Sequence, residues 1–143
     1  MKPEVLHASA VSCAGRGVLF TGPSGSGKSA ISLEIMALGA QLIADDRCII
    51  TREKDQVLVS APVAIQGLIE ARGVGLLLAN SVGPVALSLV VDMSKIETDR
   101  LPPQRRTEVL AQSLPLLHKV ESRYFPAAIL QYLKGDGFSK GNA

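Results

Sequence analysis

The sequence predicts an α/β fold in which a mixed β-sheet forms the core and helices flank it. Most apolar runs are short and are bounded by glycine, proline or charged residues, and one alternates apolar with small polar residues, as strands do. Two other stretches, one after a glycine-rich loop and one at residues 125–133, have the apolar spacing of helices. We expect residues 1–135 to form one domain and residues 136–143 to form a flexible tail.

The glycine-rich loop at residues 22–29 reads GPSGSGKS and fits the pattern G-x-x-x-x-G-K-[ST] at every fixed position. Glycines let backbone N–H groups surround a phosphate without a clash from Cβ atoms. Lys28 adds a cation, Ser29 offers a hydroxyl to magnesium, and the following helix turns its positive end towards the phosphates. The predicted nucleotide-binding residues are Gly22, Pro23, Ser24, Gly25, Ser26, Gly27, Lys28 and Ser29. A Gly/Ser-rich linker is the alternative, which the flanking strand and helix disfavour.

A β-hairpin is predicted before this loop. Residues 5–13 alternate with period two and predict a strand with one buried face, residues 15–17 predict a turn, and residues 18–21 predict the partner strand. The phosphate loop would then begin where a hairpin ends, whereas in the usual nucleotide-binding fold it follows a lone first strand. The helix after the loop is expected to end at Gly39.

Three acidic residues are candidates for the chemistry. The apolar run 40–44 leads directly into Asp45 and Asp46, and the end of a buried strand is where a magnesium-binding carboxylate is expected. The alternative is that one of the two acids is a turn residue or a backbone cap. Glu70 lies two residues before Arg72 among glycines and aliphatics, so in a strand the two would share one face. A purely structural ion pair is the alternative there.

The rest of the chain is predicted to complete the sheet and its cover. Strands are expected at 47–51 and 57–60 around a solvated turn at 52–56, at 76–82 and 85–92 as extensions of the sheet, and at 114–120 as an edge strand. A helix is expected at 104–112, with Arg105 and Arg106 on its surface. Another helix is expected at 125–133, capped by Gly135.

Composition excludes several classes of function. The formal net charge is +2, aromatic residues make up 3% of the chain and there is no Trp, so nucleic-acid binding is disfavoured. Cys13 and Cys48 lack metal-ligand spacing and predict reduced thiols in a cytoplasmic protein. We expect no signal peptide and no association with a membrane, since no apolar stretch reaches the roughly 18 residues of a membrane span.

Five segments in order resemble the catalytic domain of the HPr kinase/phosphorylase family, in its short single-domain proteobacterial form. They are H-A-S at 7–9, GPSGSGKS at 22–29, LIADD at 42–46, GLIEARGVG at 67–75 and D-R-L-P at 99–102. The resemblance implies a phosphate-loop kinase domain with a fold similar to the phosphoenolpyruvate-carboxykinase-like nucleotide-binding fold. It also implies ATP and Mg²⁺ as cofactors, the phosphocarrier protein HPr or a paralogue as the serine substrate, a reverse reaction with inorganic phosphate, and a homo-oligomer, in the family a hexamer.

The resemblance also implies site residues. Lys28 is similar to the loop lysine, Ser29 and Glu70 to magnesium ligands, and Asp46 to the acid/base that takes the serine proton. His7 and Arg100 match the remaining two active-site positions of the family. Asp45 would hold magnesium, directly or through water, or set the proton affinity of its neighbour.

Three features of the sequence depart from the family. Ala30 stands where the family often has an acid, the amino-terminal domain of longer members has no counterpart, and residues 119–123 match only loosely a segment linked to phosphate removal. Kinase activity is therefore better supported than phosphorylase activity. A nucleotide-sensing binding module and a small-metabolite kinase remain alternatives, the first of them mildly favoured by Ala30.

Overall fold

The computed structural model describes residues 1–139. Within that range it contains eleven strands, two α-helices and one short 3₁₀ turn at Val63–Ile65. The strands are β1 Glu4–Leu6, β2 Ser9–Cys13, β3 Arg16–Thr21, β4 Gln41–Ala44, β5 Cys48–Glu53, β6 Gln56–Ser60, β7 Leu68–Ala71, β8 Gly75–Leu78, β9 Val85–Ile96, β10 Arg105–Val109 and β11 Gln112–Lys119. The helices are α1 Lys28–Ala37 and α2 Phe125–Gly135.

The long strand β9 lies at the centre of a mixed, nine-stranded sheet. Along one edge it runs parallel to β3, and along the other it pairs first with β6 and then, in parallel, with β11. The strand order is β1-β5-β6-β9-β3-β2-β4, and β10 is attached outside β11. The register puts Thr21, the last residue of β3, opposite Asp92. The phosphate loop therefore begins beside the second half of β9.

Both faces of the central strands are buried. Val18 and Phe20 on β3 pack into a hydrophobic cluster with α1 and α2, whereas Leu19 belongs to a second cluster with β5, β6 and β11. Successive side chains of a strand point to opposite faces, so this apolar run needs cover on both sides. The helices cover one face of these strands, and other strands of the sheet cover the opposite face.

The predicted hairpin before the phosphate loop is confirmed, with one interruption. β2 and β3 pair antiparallel around a turn in which Ala14 and Gly15 have φ values of 56° and 75°. The predicted strand 5–13 breaks at His7, because β1 pairs with β5 while β2 pairs with β3 and β4. The period-two pattern runs through the break, so the pattern did not reveal it.

The prediction that residues 76–82 extend the main sheet holds only at the end of this stretch, where Ser81 forms an isolated parallel bridge with Leu42 of β4. β8 itself pairs with β7, and the two form a separate two-stranded sheet. Ile69 in β7 is 1% exposed and packs into the cluster beneath α1. The hairpin therefore lies against the helix side of the domain, where it forms one wall of the site described below.

Two predictions about residues 104–120 are also wrong. Residues 105–109 form strand β10 rather than a helix, and the chain reverses at Leu110 and Ala111, which have φ values of 46° and 63°. β11 therefore lies between β9 and β10 and is not an edge strand. Arg105 is half-buried, whereas Arg106 is exposed as predicted. Pairing with β11 outweighs the weak helical pattern of this short polar segment.

The other two predicted helices are confirmed. α1 ends at Ala37, and Gly39 follows with a φ of 114° and an N–H that donates to Met36. α2 ends at Gly135, two residues beyond the predicted end at 133, and the left-handed cap is Asp136 rather than Gly135. No helix within residues 1–139 is long and apolar enough to cross a bilayer.

Part of the predicted tail contacts the domain. Asp136 pairs with Arg16 at 3.1 Å, and the ring of Phe138 packs edge-to-face on Tyr132 with centroids 5.0 Å apart. The last four residues of the predicted tail, 140–143, lie outside the described residues.

Candidate functional site

The phosphate loop has the backbone that its glycines predict. Gly22, Gly25 and Gly27 have φ values of 134°, 84° and 97°, which residues with a Cβ rarely adopt. A Cβ on Gly22 would also lie 2.9 Å from the hydroxyl of Ser26 and 3.3 Å from the backbone nitrogen of Ser94. No side chain caps the first turn of α1, so its N–H groups are available to an anion.

Two lysines contact this loop. The ammonium of Lys28 donates to the carbonyl oxygens of Gly22 at 2.5 Å and Pro23 at 3.1 Å. Lys119, at the end of β11, donates to the carbonyl of Ser26 at 3.4 Å. Sequence reasoning used Lys119 only as part of a loosely matched segment. Its contact with the loop depends on the pairing of β11 with β9, which the sequence pattern did not predict.

Asp45 is the buried acid of the site. It follows β4 and is 6% exposed. Its Oδ1 accepts hydrogen bonds from Ser29 at 2.5 Å and from Ser9 at 2.9 Å, and its Oδ2 accepts one from the backbone N–H of Glu70 at 3.0 Å. One carboxylate thus joins the phosphate loop, β2 and β7. Sequence analysis missed Ser9, although it belongs to the H-A-S segment.

Asp46 is exposed and occupies a strained turn. Its φ is 70°, and the N–H of Arg47 donates to the carbonyl of Asp45 at 2.8 Å, which closes a three-residue turn. The backbone N–H of Asp46 donates to the hydroxyl of Ser9 at 3.3 Å. Such strain in a non-glycine residue is typical of functional sites. The turn directs the two neighbouring acids into different surroundings.

These residues line an open cleft of about 1010 Å³. The lining includes Lys28, Ser29, Asp45, Asp46, Arg47, Glu70 and Arg72. This volume is at the upper end of what small-molecule and cofactor sites occupy, roughly 300–1,000 Å³. The cleft lies between the phosphate loop and the β7–β8 hairpin, whose exposed Leu76 forms part of its rim.

His7 and Arg100 are not brought to this cleft. His7 is exposed in the bend between β1 and β2, and its neighbour Ala8 accepts a hydrogen bond from the thiol of Cys48, two residues beyond Asp46. Arg100 is exposed in the loop between β9 and β10.

Glu70 lies on β7, while Arg72 lies in the turn after that strand. The prediction that the two share a strand face is therefore wrong. Among the residues that the structure describes, no ion pair joins them. Glu70 is exposed on the cleft wall, so its carboxylate is available to a ligand.

The oxygen donors of the cleft fit a magnesium ion that is shared with a nucleotide. Ser29, Asp45 and Glu70 supply a hydroxyl and two carboxylates, which are the hard ligands that Mg²⁺ prefers. Within residues 1–139 no cluster of three or more His, Cys, Asp or Glu could hold a metal by itself. Phosphate oxygens and water would therefore have to complete the coordination, as is usual for magnesium in phosphoryl-transfer sites.

Burial and the two aspartates perturb a nearby thiol. Cys48 is buried behind the Asp45–Asp46 turn, and burial, followed by the charges of Asp45 and Asp46, raises its pKa to about 12. At the other side of the phosphate loop, burial opposes ionisation of Asp92, but hydrogen bonds from the hydroxyl and N–H of Ser94 outweigh it and lower its pKa. These shifts favour a protonated thiol at Cys48 and an ionised carboxylate at Asp92 at neutral pH.

Residues 1–107 match the family described as the HPr Serine kinase C-terminal domain. The chain belongs to this family. An HPr kinase/phosphorylase of Lactiplantibacillus plantarum is 43% identical over 75 residues, which are 52% of this chain and 24% of that protein. An HPr kinase/phosphorylase of Clostridium tetani is 37% identical over 97 residues, which are 67% of this chain and 31% of that protein. The HPr kinase C-terminal domain described here thus matches a quarter to a third of these relatives.

A solved structure supports the same assignment. The Hpr(Ser) kinase/phosphatase from Coxiella burnetii superposes with a TM-score of 0.79 at 25% sequence identity, and the match covers 93% of this chain and 95% of that one. The α/β fold predicted from the sequence is therefore confirmed as that of an HPr kinase domain.

Proposed function

We propose that this protein is a magnesium-dependent ATP:protein-serine phosphotransferase that acts on the phosphocarrier protein HPr or a paralogue. The observation that carries the proposal is the hydrogen bond of Ser29 to Asp45 beside a second, exposed carboxylate, Asp46. At one phosphate loop, Ser29 and Asp45 would form a metal-binding pair and Asp46 would be a separate proton acceptor. These are the parts that phosphoryl transfer needs. Family membership supports a kinase, and the relatives' names support HPr as the substrate.

Residues 22–29 would hold the phosphates of ATP through their backbone N–H groups, and Lys28 would move from the loop carbonyls to phosphate oxygens. Ser29, Asp45 and Glu70 would hold magnesium, which neutralises charge on the β- and γ-phosphates when it is bound. Asp45 is oriented by three donors, so it can coordinate without large rearrangement.

Asp46 is the proposed general base. The substrate serine oxygen forms a bond to the γ-phosphorus, the bond from that phosphorus to the β–γ bridging oxygen breaks, and ADP leaves with the electron pair. The serine proton passes to the carboxylate of Asp46, which is exposed on the cleft. In the reverse direction Asp46 returns the proton to serine while inorganic phosphate takes the phosphoryl group and becomes pyrophosphate.

His7 and Arg100 complete the proposed site. His7 lies in the bend before the Ala8–Ser9 segment, which contacts the Asp46–Cys48 segment through two hydrogen bonds. The imidazole would act as a charge partner of Asp46 if that bend moved towards the cleft. Arg100 would steady charge on the transferring group, for which a guanidinium is well suited.

The shape of the cleft favours a protein substrate over a small metabolite. Metabolite kinases need an enclosed pocket with converging polar groups, whereas this cleft is open and has an apolar rim that includes Val74 and Leu76, which are 75% and 68% exposed. The nucleotide-sensing module remains the second candidate, because Ala30 removes one acid that could assist magnesium. The cytoplasmic location and the hexamer remain predictions, and sedimentation would test the latter.

ADP release measured with and without purified HPr tests the proposed function. We expect magnesium-dependent release that HPr stimulates at least about tenfold, since the acceptor completes the reaction. HPr with its target serine replaced by alanine, and Lys28→Ala as the enzyme control, should both abolish the stimulation. Bound ATP with no HPr-dependent turnover would instead support the sensing module.

A further inference from the structure

Glu97 follows β9 directly and carries a carboxylate that lies outside the cleft. Its side chain is 6% exposed. Its Oε1 and Oε2 both accept hydrogen bonds from the guanidinium of Arg105, at 3.2–3.3 Å, and Oε2 also accepts them from the backbone N–H groups of Thr98 at 3.2 Å and Asp99 at 3.3 Å. His118 Nδ1 lies 4.0 Å from Oε1. Nothing in the proposed chemistry uses this acid directly.

The carboxylate joins the two ends of one loop. Residues 98–104 connect β9 to β10, and Arg100 lies within them. Thr98 and Asp99 begin this loop and Arg105 begins the strand after it, so one side chain fixes both its entry and its exit. Charge-assisted bonds of this kind are roughly twice as strong as neutral ones.

Glu97 is also connected to the phosphate loop, through Lys119. The backbone N–H of Glu97 donates to the carbonyl of Lys119 at 2.8 Å, and the ammonium of Lys119 donates to the carbonyl of Ser26 at 3.4 Å. The loop that carries Arg100 therefore starts one lysine side chain away from the phosphate loop. Release of its ends would widen the range of positions open to Arg100.

We propose that Glu97 is a positioning residue for phosphoryl transfer, which holds both ends of the 98–104 loop and so limits the positions that Arg100 can adopt during transfer. The inference rests on the proposed function for the role of Arg100. The claim that Glu97 holds both ends of the loop rests only on its contacts with Thr98, Asp99 and Arg105. The two parts can therefore be tested separately.

Limited proteolysis tests the hold on the loop without any assay of activity. Trypsin cleavage of the Arg100–Leu101 bond is followed by mass spectrometry in the wild type, Glu97→Gln and the matched control Glu108→Gln, whose side chain is exposed on β10. We expect cleavage at this bond about tenfold faster in Glu97→Gln, because losing charge-assisted bonds lowers the cost of local opening. The control should match the wild type. Equal cleavage in all three proteins would overturn the proposal.

Steady-state kinetics test the action through Arg100. Glu97→Gln should lower kcat at least about tenfold and leave the KM for ATP within about twofold, since it removes positioning rather than ground-state binding. In the Arg100→Ala background the same substitution should have no further effect on kcat. An equal loss of kcat in both backgrounds would overturn the positioning role, because Glu97 would then act independently of Arg100.

A milder variant covers the case in which Glu97→Gln does not fold. Arg105→Lys keeps the charge but loses the two-pronged contact, and it should give intermediate cleavage and intermediate kcat. Wild-type values of both in Arg105→Lys would contradict the proposal. An inactive wild type with slow cleavage after Arg100 would contradict the proposed function but leave the hold on the loop intact.

Discussion

The hydroxyl of Ser29 donates a 2.5 Å hydrogen bond to Oδ1 of Asp45. The two residues are 16 positions apart in sequence, and α1 with β4 brings them together at the base of the phosphate loop. The contact gives two adjacent acids different surroundings, because Asp45 bonds to the loop while Asp46 stays exposed on the cleft.

Magnesium dependence should distinguish the two acids. Asp45→Asn should raise the magnesium concentration for half-maximal activity at least about tenfold, since a neutral amide is a poor ligand for a hard cation. Asp46→Asn should leave that concentration within about twofold and lower kcat by about 10² or more, the usual range for losing a general base. Magnesium titrations of ADP release at saturating ATP and HPr measure both. The reverse pattern would show that the roles are exchanged.

The two cysteines should differ in reactivity. Thiolate is the reactive form, and the pKa of Cys48 is raised to about 12, so at pH 8 almost none of it is ionised. Cys13 is partly exposed. Alkylation of the native protein by iodoacetamide should modify Cys13 and spare Cys48, and peptide mass spectrometry would show this. Denatured protein, in which both thiols should react, is the control. Rapid modification of native Cys48 would mean that the Asp45–Asp46 turn opens readily.

The contribution of Glu97 to stability should depend on pH. The hydrogen bonds from Arg105 are the largest cause that holds its pKa below the ordinary value of 4.5. A depressed pKa means that the stabilisation is present above 4.5 and is lost as the pH falls through the value in the folded state. Glu97→Gln should therefore unfold at a lower temperature than the wild type at pH 7, and the difference should shrink as the pH falls below 4.5. Thermal unfolding from pH 3 to 7 measures it, with Glu108→Gln as the control. A difference that is constant with pH would assign the effect to packing.

Phosphate removal should be slower than phosphorylation. In the reverse reaction, inorganic phosphate would have to bind in the loop in place of a nucleotide phosphate. Residues 119–123 match only loosely the family segment linked to phosphate removal, and Lys119 in this segment contacts Ser26 of the loop. A misplacement of ~1 Å can cost ~100-fold in rate. Pyrophosphate release from phosphoserine-HPr, with phosphate and magnesium but no ATP, gives the reverse rate. Equal forward and reverse rates would show that this divergence does not matter.

The sequence predicted the phosphate loop, the strand before it and the helix after it, because the patterns that indicate them are local. The G-x-x-x-x-G-K-[ST] pattern, the apolar run before it and Gly39 at the end of α1 each depend on a few neighbouring residues. The acids at 45, 46 and 70 were also found, since they follow or lie in apolar runs. The cleft brings all three together with Lys28 and Ser29.

Sequence patterns did not predict contacts that depend on tertiary pairing. Ser9 reaches Asp45 across 36 positions, and Lys119 reaches Ser26 across 93. Both contacts depend on which strands become neighbours, which periodicity does not encode. The helix expected at 104–112 failed for the same reason, because its residues pair with β11. That pairing also places Arg105 against Glu97.

The mass of HPr after incubation with this protein, ATP and magnesium tests the central claim most directly. The account predicts the addition of one phosphoryl group, located on a serine by peptide fragmentation, with the wild type and almost none with Asp46→Asn under the same conditions. Unmodified HPr in the presence of bound ATP, or a phosphoryl group on another residue type, would contradict it.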